Sequence, residues 1–157
     1  MLATLLLLLC VGAAAIGGVF FAFSAFVLRA LSDLPAESGI TAMQRINIVV
    51  INRVFLGVFI GTAMLSLALA VVAVATWSPP RSALLLAAAG LYFFGSFVVT
   101  IRFNVPRNNH LARFSAASPE AASYWPAYVR EWGMWNHVRT AASLASCACA
   151  ASAMAFL

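Results

Sequence analysis

The chain has 157 residues, 64% of them hydrophobic and 8% charged, with a mean hydropathy of +1.01. A soluble domain carries roughly 25% charged residues, so the composition argues against a water-soluble fold and for a single polytopic membrane domain. Nine Arg and no Lys stand against Asp33, Glu37, Glu120 and Glu131, a net charge of +5. That surplus fits topology signals and anionic headgroups rather than nucleic acid, and the missing Lys removes Schiff-base chemistry.

Residues 2–31 form an apolar run longer than the ~20 residues that cross a bilayer. No basic segment precedes the run, so it reads as a retained span and not as a cleaved leader. Ser32-Asp33-Leu34-Pro35 ends it, and Thr41-Ala42-Met43-Gln44 has the form of a capping box, predicting a second helix over residues 42–77. That helix opens with Gln44, Arg45, Asn47, Asn52 and Arg53, too polar for bare lipid, so these turns should project from the membrane or be buried among helices. Gly57 and Gly61 make a small-xxx-small pair that predicts close packing within the bundle and leaves a homo-oligomer open.

Ser78-Pro79-Pro80-Arg81 is a turn, and a third span covers residues 82–104, with Asn104-Val105-Pro106 as its terminator. Residues 107–123 then form the longest loop, holding Asn108, Asn109, His110 and Arg113, with a short helix start at Ser118-Pro119-Glu120. The fourth helix covers residues 124–157, with Trp125, Tyr128, Trp132 and Trp135 in its first turns, where aromatic side chains suit the membrane interface. Cys10, Cys147 and Cys149 lie in apolar runs at spacings that suit small buried thiols better than a metal site. The expected fold is all-α: an integral membrane four-helix bundle whose helices 2 and 4 extend beyond the cytoplasmic interface. Eight Arg flank the first and third connections and Arg81 alone lies opposite, so both charged connections should face the cytoplasm and both termini outward.

The densest polar stretch is Trp132-Gly-Met-Trp-Asn-His-Val-Arg-Thr140. Within it and beyond, Trp132, Asn136, Arg139, Thr140 and Ser143 share one helical face, while His137 lies about 100° from Asn136 and borders it. A bundle turns such a stripe inward, toward the polar opening of helix 2 and the Asn-rich exit of helix 3. Asn104, Asn108, Asn136, His137 and Arg139 would then line one pocket. His110, flanked by Arg in the loop, reads as a solvated side chain. A bis-His haem needs two His on facing helices at one depth. With only His110 and His137 in the chain, haem or another metal is not favoured by the spacing yet stays open. No nucleotide-binding loop, nucleophile triad or redox Cys pair is present.

The segments Gly18-Val-Phe-Phe-Ala-Phe-Ser24, Ala42-Met-Gln-Arg-Ile-Asn47, Asn104-Val-Pro-Arg-Asn-Asn109 and Trp132-Gly-Met-Trp-Asn-His-Val-Arg-Thr140 resemble the anthrone oxygenase family of small four-span membrane proteins, also known as a bacterial domain of unknown function. The resemblance implies residence in a bacterial inner membrane. It also implies oxidation of a polycyclic phenol or anthrone by dioxygen, with no bound cofactor. On that reading His137 is the base, and Arg139, Asn104 and Asn136 stabilise the developing oxyanion. Trp132 and Trp135 would stack on a planar ligand, with Asn47, Asn52, Asn108, Asn109 and Thr140 completing the site, so that His137→Gln should abolish turnover. The alternative is a non-catalytic subunit or assembly partner that binds a quinone or a lipid headgroup in the same pocket. A transporter is less consistent with four short-looped spans lacking intramembrane acids and internal repeats.

Overall fold

The computed structural model describes residues 1–157 and is entirely helical, with five helices and no strand. Helix α1 runs Leu2–Ser32, α2 Ala36–Val49, α3 Arg53–Ala75, α4 Arg81–Leu111 and α5 Pro119–Met154. Three of these, α1, α3 and α4, are long and apolar enough to cross a membrane. Their outer faces expose large apolar side chains such as Leu8, Phe21, Phe26, Met64, Val71 and Phe94. An exterior of this kind belongs against lipid, and it supports membrane association.

Helix α5 is the element that the others pack on, touching α1, α2 and α4. Its second half is rich in Ala and Ser, which lets neighbouring backbones approach closely. Gly17 of α1 faces Ser143 and Leu144, and Gly95 of α4 faces Ala142. Short hydroxyl bonds tie the same surfaces: Ser143 to Ser96 at 2.9 Å, and Ser146 to the Ala88 carbonyl at 2.8 Å. The half-buried thiols of Cys10 and Cys147 meet at 3.0 Å between α1 and α5.

Three apolar clusters stack along the bundle. One end holds Leu6, Leu9, Leu69, Leu85 and Ala153; the middle holds Ile16, Phe20, Phe59 and Tyr92. The other end is a cap in which α2 and the first turns of α5 close over the ends of α1 and α4, around Leu31, Met43, Leu111, Trp125 and Tyr128.

Four local expectations are corrected. Helix α2 begins at Ala36, after Pro35, and not at Thr41, which sits within it. The expected continuous helix over 42–77 is two helices, broken after Val50. Asn52 makes the break: its Oδ1 accepts from the amides of Val54 and Phe55 at 3.0 Å, while its Nδ2 donates to the Val49 carbonyl at 3.0 Å. The side chain thus caps α3 and holds the end of α2 to it.

The third helix does not stop at Asn104-Val105-Pro106. Two π-helical segments, Leu91–Val98 and Thr100–Asn104, widen α4 ahead of Pro106, and the chain continues helically through Leu111. A wider turn relieves the clash between the proline ring and the preceding turn, so Pro106 is carried without a break. The loop shrinks accordingly, and α5 starts at Pro119 with Ser118 as its cap.

Gly57 and Gly61 do not serve packing inside the bundle either: a side chain on either would meet nothing. Close approach is made at Gly12, Gly17, Gly39, Gly95 and Gly133 instead. Gly39 is the tightest constraint in the cap, since a Cβ there would strike the Leu31 carbonyl and sit 3.1 Å from the Trp125 ring. Gly39→Ala therefore sets a helix-propensity gain of about 1 kcal/mol against an overpacking cost of about 1–3 kcal/mol. Backbone cannot rotate away as a side chain can, so overpacking wins and the thermal midpoint in detergent should fall. Gly90→Ala, where an added Cβ would meet nothing, should leave it unchanged or raise it.

Candidate functional site

Helix α5 carries its polar stripe into the interior, as its spacing predicts: Trp132, Asn136, Arg139, Thr140 and Ser143 are all buried. Asn136 organises the stripe. Its Nδ2 donates to the Phe20 carbonyl at 2.8 Å and to the Ser24 hydroxyl at 2.7 Å, where α1 widens into a π turn over Phe23–Val27. Ser24 lies 3.0 Å from the Thr140 hydroxyl, which donates back to the Asn136 carbonyl at 2.8 Å. The Asn136 Oδ1 accepts from Arg139 Nη2 at 2.7 Å.

Arg139 is 4% exposed and takes part in none of the chain's ion pairs. Its Nη1 donates to Thr100 Oγ1 at 3.2 Å, and its guanidinium lies 4.0 Å from the centroid of Phe20 and 5.1 Å from that of Trp132. A buried cation held by neutral dipoles and ring faces, with no carboxylate, is costly unless something else supplies negative potential. Its Nε has no partner at all.

Arg139 lines a cavity of about 800 Å³ between the middle of the bundle and the cap. Phe20, Phe55, Phe59 and Phe97 form one wall, with Phe55 and Phe59 stacked at 5.9 Å. Asn104, Asn108, Trp132 and Arg139 form the polar wall, and Gln44, Asn47 and Asn109 its edge toward the cap. Helix α3 packs on α4 through Arg81–Val98 but has no comparable packing on Thr100–Leu111, so the cavity opens sideways between them. The rim there is apolar and exposed: Ile48, Ile51, Ile60, Ile101 and Val105.

Five buried polar side-chain atoms of the protein lack a hydrogen-bond partner, and four of them belong to residues lining this cavity: Asn47 Nδ2, Asn104 Oδ1, Trp132 Nε1 and Arg139 Nε. Asn104 is 1% exposed, and its Nδ2 is already spent on the Trp132 carbonyl at 3.2 Å. Asn47 lies beside the Tyr128 phenol without reaching hydrogen-bonding geometry. Buried polar groups are paired in the great majority of cases, so four orphans on residues that line one cavity are unusual.

The predicted site residues divide. Asn104, Arg139, Trp132, Asn47, Asn108 and Asn109 line the cavity. Asn108 accepts the Tyr128 hydroxyl at 2.9 Å; burial raises the pKa of that phenol and keeps it neutral. Asn136 and Thr140 stand behind the wall and hold Arg139 and α1 in place. Asn52 is a cap at the exposed helix break and not a ligand contact.

Trp135 is outside as well, stacked on Phe103 at 3.6 Å between ring centroids. His137 is exposed and does not line the cavity, which corrects its expected place in the pocket: one residue past Asn136 is a turn of about 100°, enough to carry it off the inward face. His110 packs edge-on against Phe114 and Tyr124, about 20 Å from His137 along α5, so a bis-His ligand pair is not assembled. Glu131 pairs with Arg107 at 2.8 Å.

Three contributors escaped the sequence reading. Phe20 and Ser24 lie in a Phe-rich motif whose polar contacts come from a widened turn that no periodicity shows. Thr100 follows Ser96 by four residues in an apolar run, a spacing that marks a polar face and was the available signal.

A family model described as anthrone oxygenase matches residues 52–149, more than half of the chain and including Asn104, Trp132, Asn136 and Arg139. No curated protein and no solved structure matches the chain. The matched region spans α3, α4 and most of α5, the helices that carry the buried Arg, its Asn and Thr partners and the unpartnered cavity wall, and the protein belongs to the anthrone oxygenase family.

Proposed function

We propose that the protein oxidises a polycyclic phenol or anthrone with dioxygen in the lateral cavity, without a bound cofactor, as a four-span bundle of the bacterial inner membrane. In this arrangement α1, α3, α4 and the second half of α5 span, both termini face outward, and α2 with the first turns of α5 forms the cytoplasmic cap. The observation that carries the ligand reading is the set of four orphaned polar atoms on residues that line one cavity. Three are donors and one is an acceptor, which fits a flat ligand bearing a carbonyl or oxyanion and a neighbouring hydroxyl. The volume lies within the 300–1,000 Å³ common for small-molecule sites, and the apolar rim suits a ligand arriving from the lipid phase.

The chemistry balances with dioxygen as sole oxidant. Loss of a methylene proton from the anthrone leaves a delocalised oxyanion, which gives an electron to dioxygen. A carbon–oxygen bond then forms at that carbon, and loss of water leaves the second carbonyl. One oxygen atom ends in the quinone and the other in water. Arg139, Trp132 and Asn104 contribute by holding the oxyanion and the ring plane. A second reading, a non-catalytic quinone- or lipid-headgroup-binding subunit, draws on the same donors.

Dioxygen uptake by the purified chain in lipid nanodiscs, with an anthrone added, separates the two. Stoichiometric uptake with anthraquinone formation is expected; saturable binding without uptake selects the second reading. Because His137 is exposed, His137→Gln should retain the wild-type rate within about twofold, and a loss on the scale of general-base catalysis, about 100-fold or more, would restore it as the base.

A further inference from the structure

The cavity wall contains one ionisable side chain, Arg139; every other lining residue is apolar or carries a neutral amide, hydroxyl or indole. The charged and titratable groups of the surrounding helices are turned elsewhere. Arg29 and Asp33 of α1, Arg45 of α2, Arg53 of α3, and Arg102 and His110 of α4 are exposed, as are Arg130 and His137 of α5. Arg107 and Glu131 neutralise one another at 2.8 Å, and the Tyr128 hydroxyl donates a hydrogen bond to Asn108 Oδ1. No carboxylate or imidazole stands where it could take a proton from a bound ligand.

Building on the oxidation reading above, we infer that the site takes its ligand as a monoanion, with Arg139 as the only countercharge and no protein base. Arg139 lines the cavity, is buried, lacks an acid partner and keeps one N–H without a hydrogen-bond partner. A ligand oxyanion there supplies the countercharge that the guanidinium lacks. Opposite charge at contact distance lowers an acid's ionisation pH by about 1–3 units, enough to ionise a phenol or the enol form of an anthrone near neutrality. The ligand's O–H bond breaks, its electron pair stays on the oxygen facing Arg139, and the proton passes to water at the polar edge formed by Gln44 and Asn109. Acidity is then conferred on the substrate instead of basicity on a side chain.

The test uses a hydroxyanthraquinone, whose visible absorption shifts on ionisation and which needs no turnover. With the full chain in nanodiscs, the half-point of the colour change should fall by about 1–3 pH units relative to empty nanodiscs. Arg139→Lys should keep part of that displacement and Arg139→Gln none of it, whereas His137→Gln should keep all of it. A bound probe that ionises at the same or higher pH than in empty nanodiscs overturns this inference while leaving the ligand site standing. Loss of the displacement in His137→Gln also overturns it, in favour of a base. Failure of the probe to bind the wild-type chain overturns the ligand reading, and this inference with it. The wild-type titration decides even if Arg139→Gln does not fold.

Discussion

Arg139→Gln is expected to lower anthrone-dependent dioxygen uptake by at least about a hundredfold, the scale of removing one preorganised donor at a developing oxyanion. The side chain is placed for that role by three fixed contacts: Asn136 Oδ1 at 2.7 Å, Thr100 Oγ1 at 3.2 Å and the Phe20 ring at 4.0 Å. These hold the planar fork in place at the cavity wall. Lys cannot reproduce both the fork and the stacking, so Arg139→Lys should recover only part of the rate. Stability should move much less than activity in Arg139→Gln, because the change leaves no uncompensated charge behind; it removes one. An oxygen electrode and a thermal melt in the same detergent check both halves. Equal rates in Arg139→Gln and wild type would refute the oxyanion role.

Asn136→Ala should be the most destabilising single change in the polar interior. Interhelical hydrogen bonds in membranes average only ~0.6 kcal/mol when deleted singly, and most sites in this bundle should follow that figure. Asn136 differs in number and kind of partner. It joins α5 to the Phe20 carbonyl and Ser24 of α1, and it accepts from a guanidinium that has no acid nearby. Its removal cuts two ties between α5 and α1 and leaves part of a buried cation without its acceptor, so the loss should approach about 3 kcal/mol. Asn52→Ala, which deletes an exposed cap, should lose only about 1 kcal/mol. Denaturant or thermal unfolding of the two variants side by side gives the comparison. In an Asn136→Ala/Arg139→Gln double variant the losses should be less than additive, because the stranded cation is gone.

The helical class was legible because apolar runs longer than a bilayer is thick have few other uses. Likewise, the spacing of Trp132, Asn136, Arg139 and Thr140 announced one inward face, and the structure buries all four. The Asn-rich stretch after Phe103 reaches the cavity through Asn104 and Asn108, though for a reason the sequence hid. In sequence Asn104-Val105-Pro106 reads as a terminator, whereas the π turns before Pro106 carry the helix on and set Asn104, Asn108 and Asn109 along it.

His137 shows where periodicity alone runs out. Adjacent residues on a helix differ by about 100°, so the edge of a polar stripe can fall inside or outside, depending on how the helix is rolled against its neighbours. That roll is set by Gly17 and Gly95 meeting Ser143 and Ala142, contacts between residues far apart in the chain. Gly57 and Gly61 make the same point in reverse: their spacing permits close packing, but no helix of the chain comes to that face.

From its residues alone, this protein is a helical, lipid-facing chain with its polar groups gathered toward one end, since hydropathy and period are local properties. Which of those groups meet depended on the tertiary structure. Only the packing of α1, α4 and α5 turns Arg139 and Asn104 onto a shared cavity, sends His137 and Trp135 outside and leaves the wall without a base, because partners, orphans and enclosed space arise between helices.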